Sequence, residues 1–342
     1  MIIVFTLCSN NYLAQAITLG NSLLKYNPGY KFIIGLVDRK NSGIDYKYIP
    51  YEILEVEKIG ISAFDEMYKK YNITELNTAV KPFYFQYLFT NRMDVKSIIF
   101  LDPDIMVYSS FTKLEKELEA SDIIIIPHFI TPLNDDKLQA EEDFLNSGLY
   151  NLGFIGINNT GVGCKMIDWW AERLLNKAYI DFKRGLFNDQ IWINFVPLFF
   201  TPVKIFTHPG YNMAYWNLHE RRLSKKTEEY FINDKYPLVF YHFSGFNPLI
   251  PDLLSKYQNR FTFEARSDVL ELFKEYSDQL FLNGFKSYIN YPNDFASIKN
   301  MIDEKHLQEE IRKIPLLKRA LRKIILKIIS IFNITMDYSI LR

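Results

Sequence analysis

Cysteine is nearly absent from this chain, and the two present, Cys8 and Cys164, stand far apart. No disulfide framework can be built from them, neither has a metal-type spacing, and a reducing compartment is favoured. Charge of one sign is not in excess, because 40 Lys and Arg residues face 40 Asp and Glu. Nucleic-acid binding is therefore disfavoured as a global function, since it draws on a basic surface. Nowhere does an apolar run approach the ~20 residues of a membrane-spanning helix. The opening segment Met1 to Leu7 lacks a basic lead and is too short for a signal peptide. A cytosolic chain is expected. Two glycine signatures are missing as well: no Gly-x-Gly-x-x-Gly follows an apolar strand, and no phosphate loop ends in Gly-Lys-Ser/Thr. These absences argue against a dinucleotide oxidoreductase and a P-loop kinase. No internal repeat or low-complexity segment is visible.

What is present reads as an α/β protein. Ile2 to Leu7 is a buried strand, and Leu13, Ala16, Ile17, Gly20, Leu23 and Leu24 fall on one helical face ending at Asn27-Pro28-Gly29. Lys31 to Val37 is a second strand, so the chain opens on a strand–helix–strand unit with a largely parallel sheet. Further along, Tyr51–Val56, Ser97–Leu101, Ile123–Ile126, Leu152–Asn158 and Tyr236–Phe243 read as strands. Ala63–Tyr71, Thr78–Thr90 and Ile167–Leu175 read as helices. After Pro251 the pattern turns helical and more charged. A division into residues 1–250 and a helical region 251–342 is expected.

The sharpest element is the strand Ser97-Ile98-Ile99-Phe100-Leu101 running into Asp102-Pro103-Asp104. Open α/β sheets bind ligands beyond the carboxyl ends of their strands. Two carboxylates at i and i+2 on extended backbone point the same way, and the proline between them stiffens the spacing. Such a pair suits Mn²⁺ or Mg²⁺, which take oxygen ligands and share them with phosphates. A plain turn is the competing reading. His242 closes an apolar strand before Phe243-Ser244-Gly245 and offers a third ligand, although a lone histidine among aromatics is more often structural.

These blocks resemble the GT-A-fold glycosyltransferases of the family 8 type, which includes bacterial lipopolysaccharide galactosyltransferases and glycogenin-like enzymes. Asp102-Pro103-Asp104 resembles the family's DxD motif. Phe5 to Tyr12 is similar to its opening strand and nucleotide loop, which places Thr6, Ser9, Asn10 and Tyr12 at the nucleotide. Lys81 stands where the family keeps a basic residue near the diphosphate. Asn151-Leu152-Gly153 is similar to its donor-sugar contact, Asn188-Asp189-Gln190 to its Asp-Gln pair at the reacting carbon, and His242-Phe243-Ser244-Gly245 to its His-x-x-Gly. The blocks keep the family's order over Met1 to Gly245. The resemblance implies a metal site of Asp102, Asp104 and His242, with Asp102 also touching the nucleotide-sugar. It also implies a donor site including Gly245, and catalytic roles for Asp189 and Gln190.

The match departs twice. The family's lysine after His-x-x-Gly is replaced by Pro248, so Lys256 or Arg260 is expected to supply its phosphate contact. The stretch His208 to His219 is not the family's; within it Tyr211, Asn212, Tyr215 and Trp216 form an aromatic–amide cluster with the makings of a sugar platform. His208 and His219 read equally as acceptor contacts or loop residues, and His128 carries no functional expectation. Trp169 and Trp170 read as core. Blandly, Asn188-Asp189 is a helix N-cap. Stereochemistry stays open: an inverting enzyme needs Asp189 as base, while a retaining one, towards which the resemblance leans, needs a side chain that stabilises oxocarbenium-like charge.

From Ile311 to Asn333 there are seven basic residues and no acid. Leu317, Leu321, Ile324, Ile325 and Ile328 form an apolar stripe opposite Lys318, Arg319, Arg322, Lys323 and Lys327. The segment reads as an amphipathic helix on an anionic membrane surface, which would place the chain peripherally on the cytoplasmic face. Packing on the domain or in a homo-oligomer is the alternative. The expected function is transfer of a hexose from a nucleotide-sugar, UDP-linked by resemblance, to a glycan or glycolipid acceptor in surface-polysaccharide or lipooligosaccharide synthesis. A non-catalytic carbohydrate- or surface-binding module and a nucleotidyltransferase remain as alternatives.

Overall fold

The structure is a computed structural model that describes residues 1–313. The expected amphipathic helix at 311–333 lies, but for its first three residues, outside the described residues. Seven strands form the central sheet: β1 (Ile2–Cys8), β2 (Lys31–Leu36), β3 (Glu52–Glu55), β4 (Ser97–Leu101), β6 (Ile123–Pro127), β7 (Tyr150–Asn158) and β8 (Val203–Ile205). Their order is β8-β6-β7-β4-β1-β2-β3. Only β7 runs against its neighbours β4 and β6, and every other pairing is parallel. The expected α/β class with a mostly parallel sheet and a helical C-terminal part is what the structure shows.

Apolar side chains alternate along β1 and feed both faces of the sheet. Ile3, Phe5 and Leu7 join one core cluster and Val4 and Cys8 the other. Helix α1 (Leu13–Tyr26) covers the second face. The helix expected over Thr78–Thr90 is instead two, α2 (Ile73–Ala79) and α3 (Lys81–Asn91). Pro82 in the first turn of α3 has no N–H to continue a helix from behind, so it starts a new one. α4 (Gly161–Lys177) carries Trp170 fully into the core, with Trp169 packed at its edge, as expected.

The late strand expected over Tyr236–Phe243 is broken. Tyr236–Pro237 joins a small antiparallel sheet, and β9 (Phe240–His242) pairs with β5 (Ile105–Val107), just after the aspartates. Pro237 ends the first piece because it cannot donate to a ladder. Residues 251–313 pack back onto this layer: α5 (Leu270–Leu282) shares a core cluster with Trp216, Tyr241 and Phe243. The start of α6 (Asp294–Lys313) is tied to the end of β2, where the Asp294 N–H donates to Asp38 Oδ1 at 2.9 Å.

Candidate active site

Two strand ends and one antiparallel pairing bring the site together. β4 delivers Asp102 to the carboxyl edge of the sheet. Since β7 runs the other way, its first residues arrive at that same edge, and the Asp102 N–H donates to Gly153 O at 2.9 Å. The register of β5 on β9 sets His242 opposite Ile105, and the Phe243 N–H donates to Asp104 O at 2.8 Å. His242, 140 residues distant from Asp102 in the chain, is thereby laid against the Asp-Pro-Asp turn.

The His242 Nε2 atom lies 3.0 Å from Asp104 Oδ1 and 3.7 Å from Asp102 Oδ2. One ligand atom from each of the three residues falls within 4.8 Å of the others. Both aspartates keep part of their side chains open, 34% and 26%, while the imidazole is 3% exposed. Burial pushes the Asp102 carboxyl up to about 6, against the pull of Lys81 and His242 and with Asp104 and Asp189 adding to the rise. Burial pulls His242 down, but Asp104 and Asp102 outweigh it and the imidazole ends above its ordinary value. Two carboxylates held this close share one imidazolium at most, and a divalent cation meets the need better. The donor set fits Mn²⁺ or Mg²⁺.

Gly153 is required here for space. A Cβ at that position would stand 2.4 Å from His242 Cε1 and 2.7 Å from Nδ1. The ring can therefore reach the aspartates only past a residue without a side chain. Gly245 is required by its backbone, at φ +75° in the left-handed region, and any Cβ would meet Ser255 Oγ at 2.6 Å.

Behind the triad lies a second charged pair. Lys81 Nζ sits 2.6 Å from Asp189 Oδ2, each side chain being 3% exposed. The same ammonium donates to Leu152 O at 2.9 Å and sits 4.0 Å from the centre of the Phe100 ring. Burial raises the Asp189 carboxyl, and Lys81 only partly opposes this. Gln190 is engaged at both ends, accepting from the Leu152 N–H at 3.0 Å and donating to Ser147 O at 2.9 Å. Asp189 does not cap a helix as the bland reading had it: a 3₁₀ turn, Ile191–Phe195, follows with no side-chain cap. Its carboxylate is taken by Lys81 and its carbonyl accepts from Trp170 Nε1 at 3.2 Å.

The remaining expected donor contacts divide between open and closed positions. Tyr12 is open, with 45% exposure, and Lys256 is exposed with its ammonium 4.9 Å from the Tyr257 ring centre. Thr6, Ser9 and Asn10 are buried. Asn10 braces the loop after β2, donating from Nδ2 to Asp38 Oδ2 at 2.9 Å and to Arg39 O at 2.8 Å. Asn151 is buried between His128 Nε2, at 3.3 Å, and Asn212 Nδ2, which donates to it at 3.1 Å. Arg260 forks onto Asp135 at 2.8 and 3.0 Å and donates to the carbonyls of Lys137 and Gln139, so its guanidinium fastens the 135–139 loop.

The sugar platform expected of Tyr211, Asn212, Tyr215 and Trp216 is corrected: all four are at least 95% buried, because the chain over 211–217 threads through the core behind His242. His208 pairs with Lys113 Nζ at 2.9 Å, and His219 with Thr131 O at 3.0 Å. His128 was missed. It packs edge-on against Trp216, which packs edge-on against His242 in turn, and burial draws its pKa down to about 4, so it stays neutral beside the triad. No motif flags it, since its place depends wholly on residues far along the chain.

No family model matches the chain. It is 26% identical over 252 residues to the uncharacterized protein YfnF of Bacillus subtilis (strain 168), covering 70% of this chain and 80% of that protein. It is also similar to the solved structure of the galactosyltransferase LgtC in complex with donor and acceptor sugar analogs. There the TM-score is 0.46 and the identity 16%, over 87% of this chain and all of that one. The glycosyltransferase GlyE of Streptococcus pneumoniae TIGR4 gives a TM-score of 0.46 and 16% identity over 86% of this chain and 65% of that one.

Proposed function

We propose that the chain is a metal-dependent glycosyltransferase that moves a hexose from a nucleotide-sugar, UDP-linked, to a saccharide or lipid-linked acceptor. The observation that carries this is the convergence of Asp102, Asp104 and His242 within 4.8 Å at the carboxyl edge of the sheet. The sequence resemblance to the family 8 type supports the same reading, and it leans to retention of configuration. A Mn²⁺ or Mg²⁺ ion held by the three residues would neutralise charge developing on the departing diphosphate. Lys256 takes the phosphate contact in this reading, because Arg260 is committed to Asp135. Tyr12, at the rim, lies against the nucleotide.

In this reading Asp189 and Gln190 form the inner side of the donor pocket. Gln190 holds Leu152 and Ser147 in place, and Lys81 keeps Asp189 from standing as a lone buried charge. In this reading the pair fixes the wall against which the reacting carbon rests, the Asp189 carboxylate being matched by Lys81. Among the described residues no helix is long and apolar enough to cross a membrane. Docking of the basic segment 311–333 on an anionic surface, from the cytoplasmic side, belongs to this proposal.

The test is release of UDP from a panel of UDP-hexoses. It should require Mn²⁺ or Mg²⁺ and vanish in Asp104→Ala. UDP release that persists unchanged with chelator present would remove the metal-dependent reading. Pyrophosphate release from a nucleoside triphosphate would redirect it to nucleotidyl transfer.

A further inference from the structure

The central sheet ends differently on its two sides. At one end β3 carries Glu52, paired with Lys31 at 2.6 Å and with Arg92, and Glu55, paired with Lys58 at 2.6 Å and Lys40 at 3.5 Å. Such charges keep a second strand off a bare edge. At the other end β8 pairs with β6 alone among the described residues. Pro202 O accepts from the Asp122 N–H at 3.1 Å, and the Phe206 N–H donates to Ile125 O at 2.8 Å, so both are spent towards β6. Strand alternation therefore turns the N–H and C=O groups of Val203 and Ile205 away from the sheet.

This open edge is bordered by apolar surface. The segment before it exposes Phe195, Leu198 (77%) and Phe199 (57%), and Ile205 is exposed on the strand itself. Phe195 and Phe199 stack at 5.2 Å, and Phe199 packs edge-on against Trp169 of α4. Ile205 shares a sheet face with Val203, which packs with Trp169 and Phe200 against the core cluster that holds Trp170. The four exposed side chains leave roughly 400 Å² of apolar surface in water. A stable interface of about 800 Å² per partner is a little over half apolar, and this patch supplies that share. A bilayer does not suit the same edge, because hydrocarbon leaves outward backbone groups unpaired. Another strand satisfies them.

We infer that β8 is an interface between two copies of this chain, paired antiparallel about a two-fold axis through Lys204. Val203 of each copy then faces Ile205 of the other, and each such pair exchanges both N–H···O bonds. Lys204, on the axis, brings no bare like charges together, since each lysine already holds Glu117 at 3.1 Å. An isologous contact of this kind closes at two copies.

The experiment is sedimentation equilibrium of the full chain at micromolar concentration, for wild type, Ile205→Pro and Leu198→Glu, with a Lys204→Cys variant for cross-linking. Wild type should have the mass of two chains. Ile205→Pro removes an N–H that points away from β6, which an edge strand tolerates, so it should keep the wild-type circular dichroism and fall to the mass of one chain. Leu198→Glu, at an exposed side chain, should do the same and gives the reading if the proline disturbs its own strand. Opposed residues of a non-hydrogen-bonded pair stand ~4.5 Å apart at Cα, within disulfide reach. Lys204→Cys should therefore form a covalent dimer on mild oxidation, which wild type with its own Cys164 should not. A wild type of single-chain mass overturns the inference. So does a two-chain mass kept in Leu198→Glu or in a folded Ile205→Pro, a mass that grows without limit as concentration rises, or a Lys204→Cys that does not cross-link.

Discussion

Two groups of charged side chains lie within one layer of each other at the same edge of the sheet, and they are built to opposite ends. Lys81 and Asp189 are paired with one another, each 3% exposed, with opposite charges matched. Asp102 and Asp104 are about a third and a quarter open, with the His242 imidazole between them and two negative charges that it cannot balance alone. The first group is charge-matched as it stands; the second has the donor atoms to hold a cation. Residue type does not separate them, since both contain an aspartate beside a base. Neutralisation and access do.

The largest expected effect separates the two groups by metal binding. Asp104→Ala should weaken Mn²⁺ affinity by more than about a hundredfold and leave urea stability unchanged or improved, because it removes repulsion. Gly153→Ala should do nearly the same without touching a ligand, by pushing the His242 ring aside. Mn²⁺ affinity left intact in both, measured by electron paramagnetic resonance, would break the comparison at its open end.

Next comes the closed end. Lys81→Met leaves Asp189 buried and unpaired, so unfolding by urea should show a loss of about 3–5 kcal/mol. The double variant Lys81→Met/Asp189→Leu should regain most of that stability. A silent Lys81→Met would mean that the pair is not the self-sufficient unit described.

Proton competition sharpens the contrast further. A carboxyl raised to about 6 holds its proton below that pH, and an incoming cation must displace it. Mn²⁺ affinity should therefore decline as pH falls through that value, by about tenfold per unit for each proton released. His242, also raised, adds a second proton in the same direction. A flat profile between pH 7.5 and 5 would contradict this. The smallest effect distinguishes two bases at the rim. Lys256→Ala should lower UDP affinity about threefold with no change in stability. Arg260→Ala should leave UDP affinity alone and loosen the 135–139 loop, read as faster hydrogen exchange there.

Much of the site could be read in the chain, and the reason is local. Ser97 to Leu101 is an uninterrupted apolar run closed by Asp-Pro-Asp, so strand, edge position and paired carboxylates are all fixed within eight residues. The two-helix break at Pro82 was legible too, but the aromatic run through 78–90 masked it. Roles that depend on a distant partner were not legible. Asn10 looks like a loop ligand in sequence, yet its amide is consumed by Asp38 and Arg39. Tyr211 to Trp216 have the composition of a sugar platform and are buried instead.

By itself the sequence determined the α/β class, the first strand–helix–strand unit and the acidic turn, because periodicity, breakers and a proline act over a few residues. Only the tertiary structure decided that His242 reaches that turn, that Gly153 makes room for its ring, that Asp189 is neutralised by Lys81, and that Arg260 is withdrawn from the site. Each of those depends on contacts between residues 50 to 140 positions apart, through strand pairing for His242 and Gly153 and through side-chain ion pairs for Asp189 and Arg260, and such contacts leave no periodic trace in the chain.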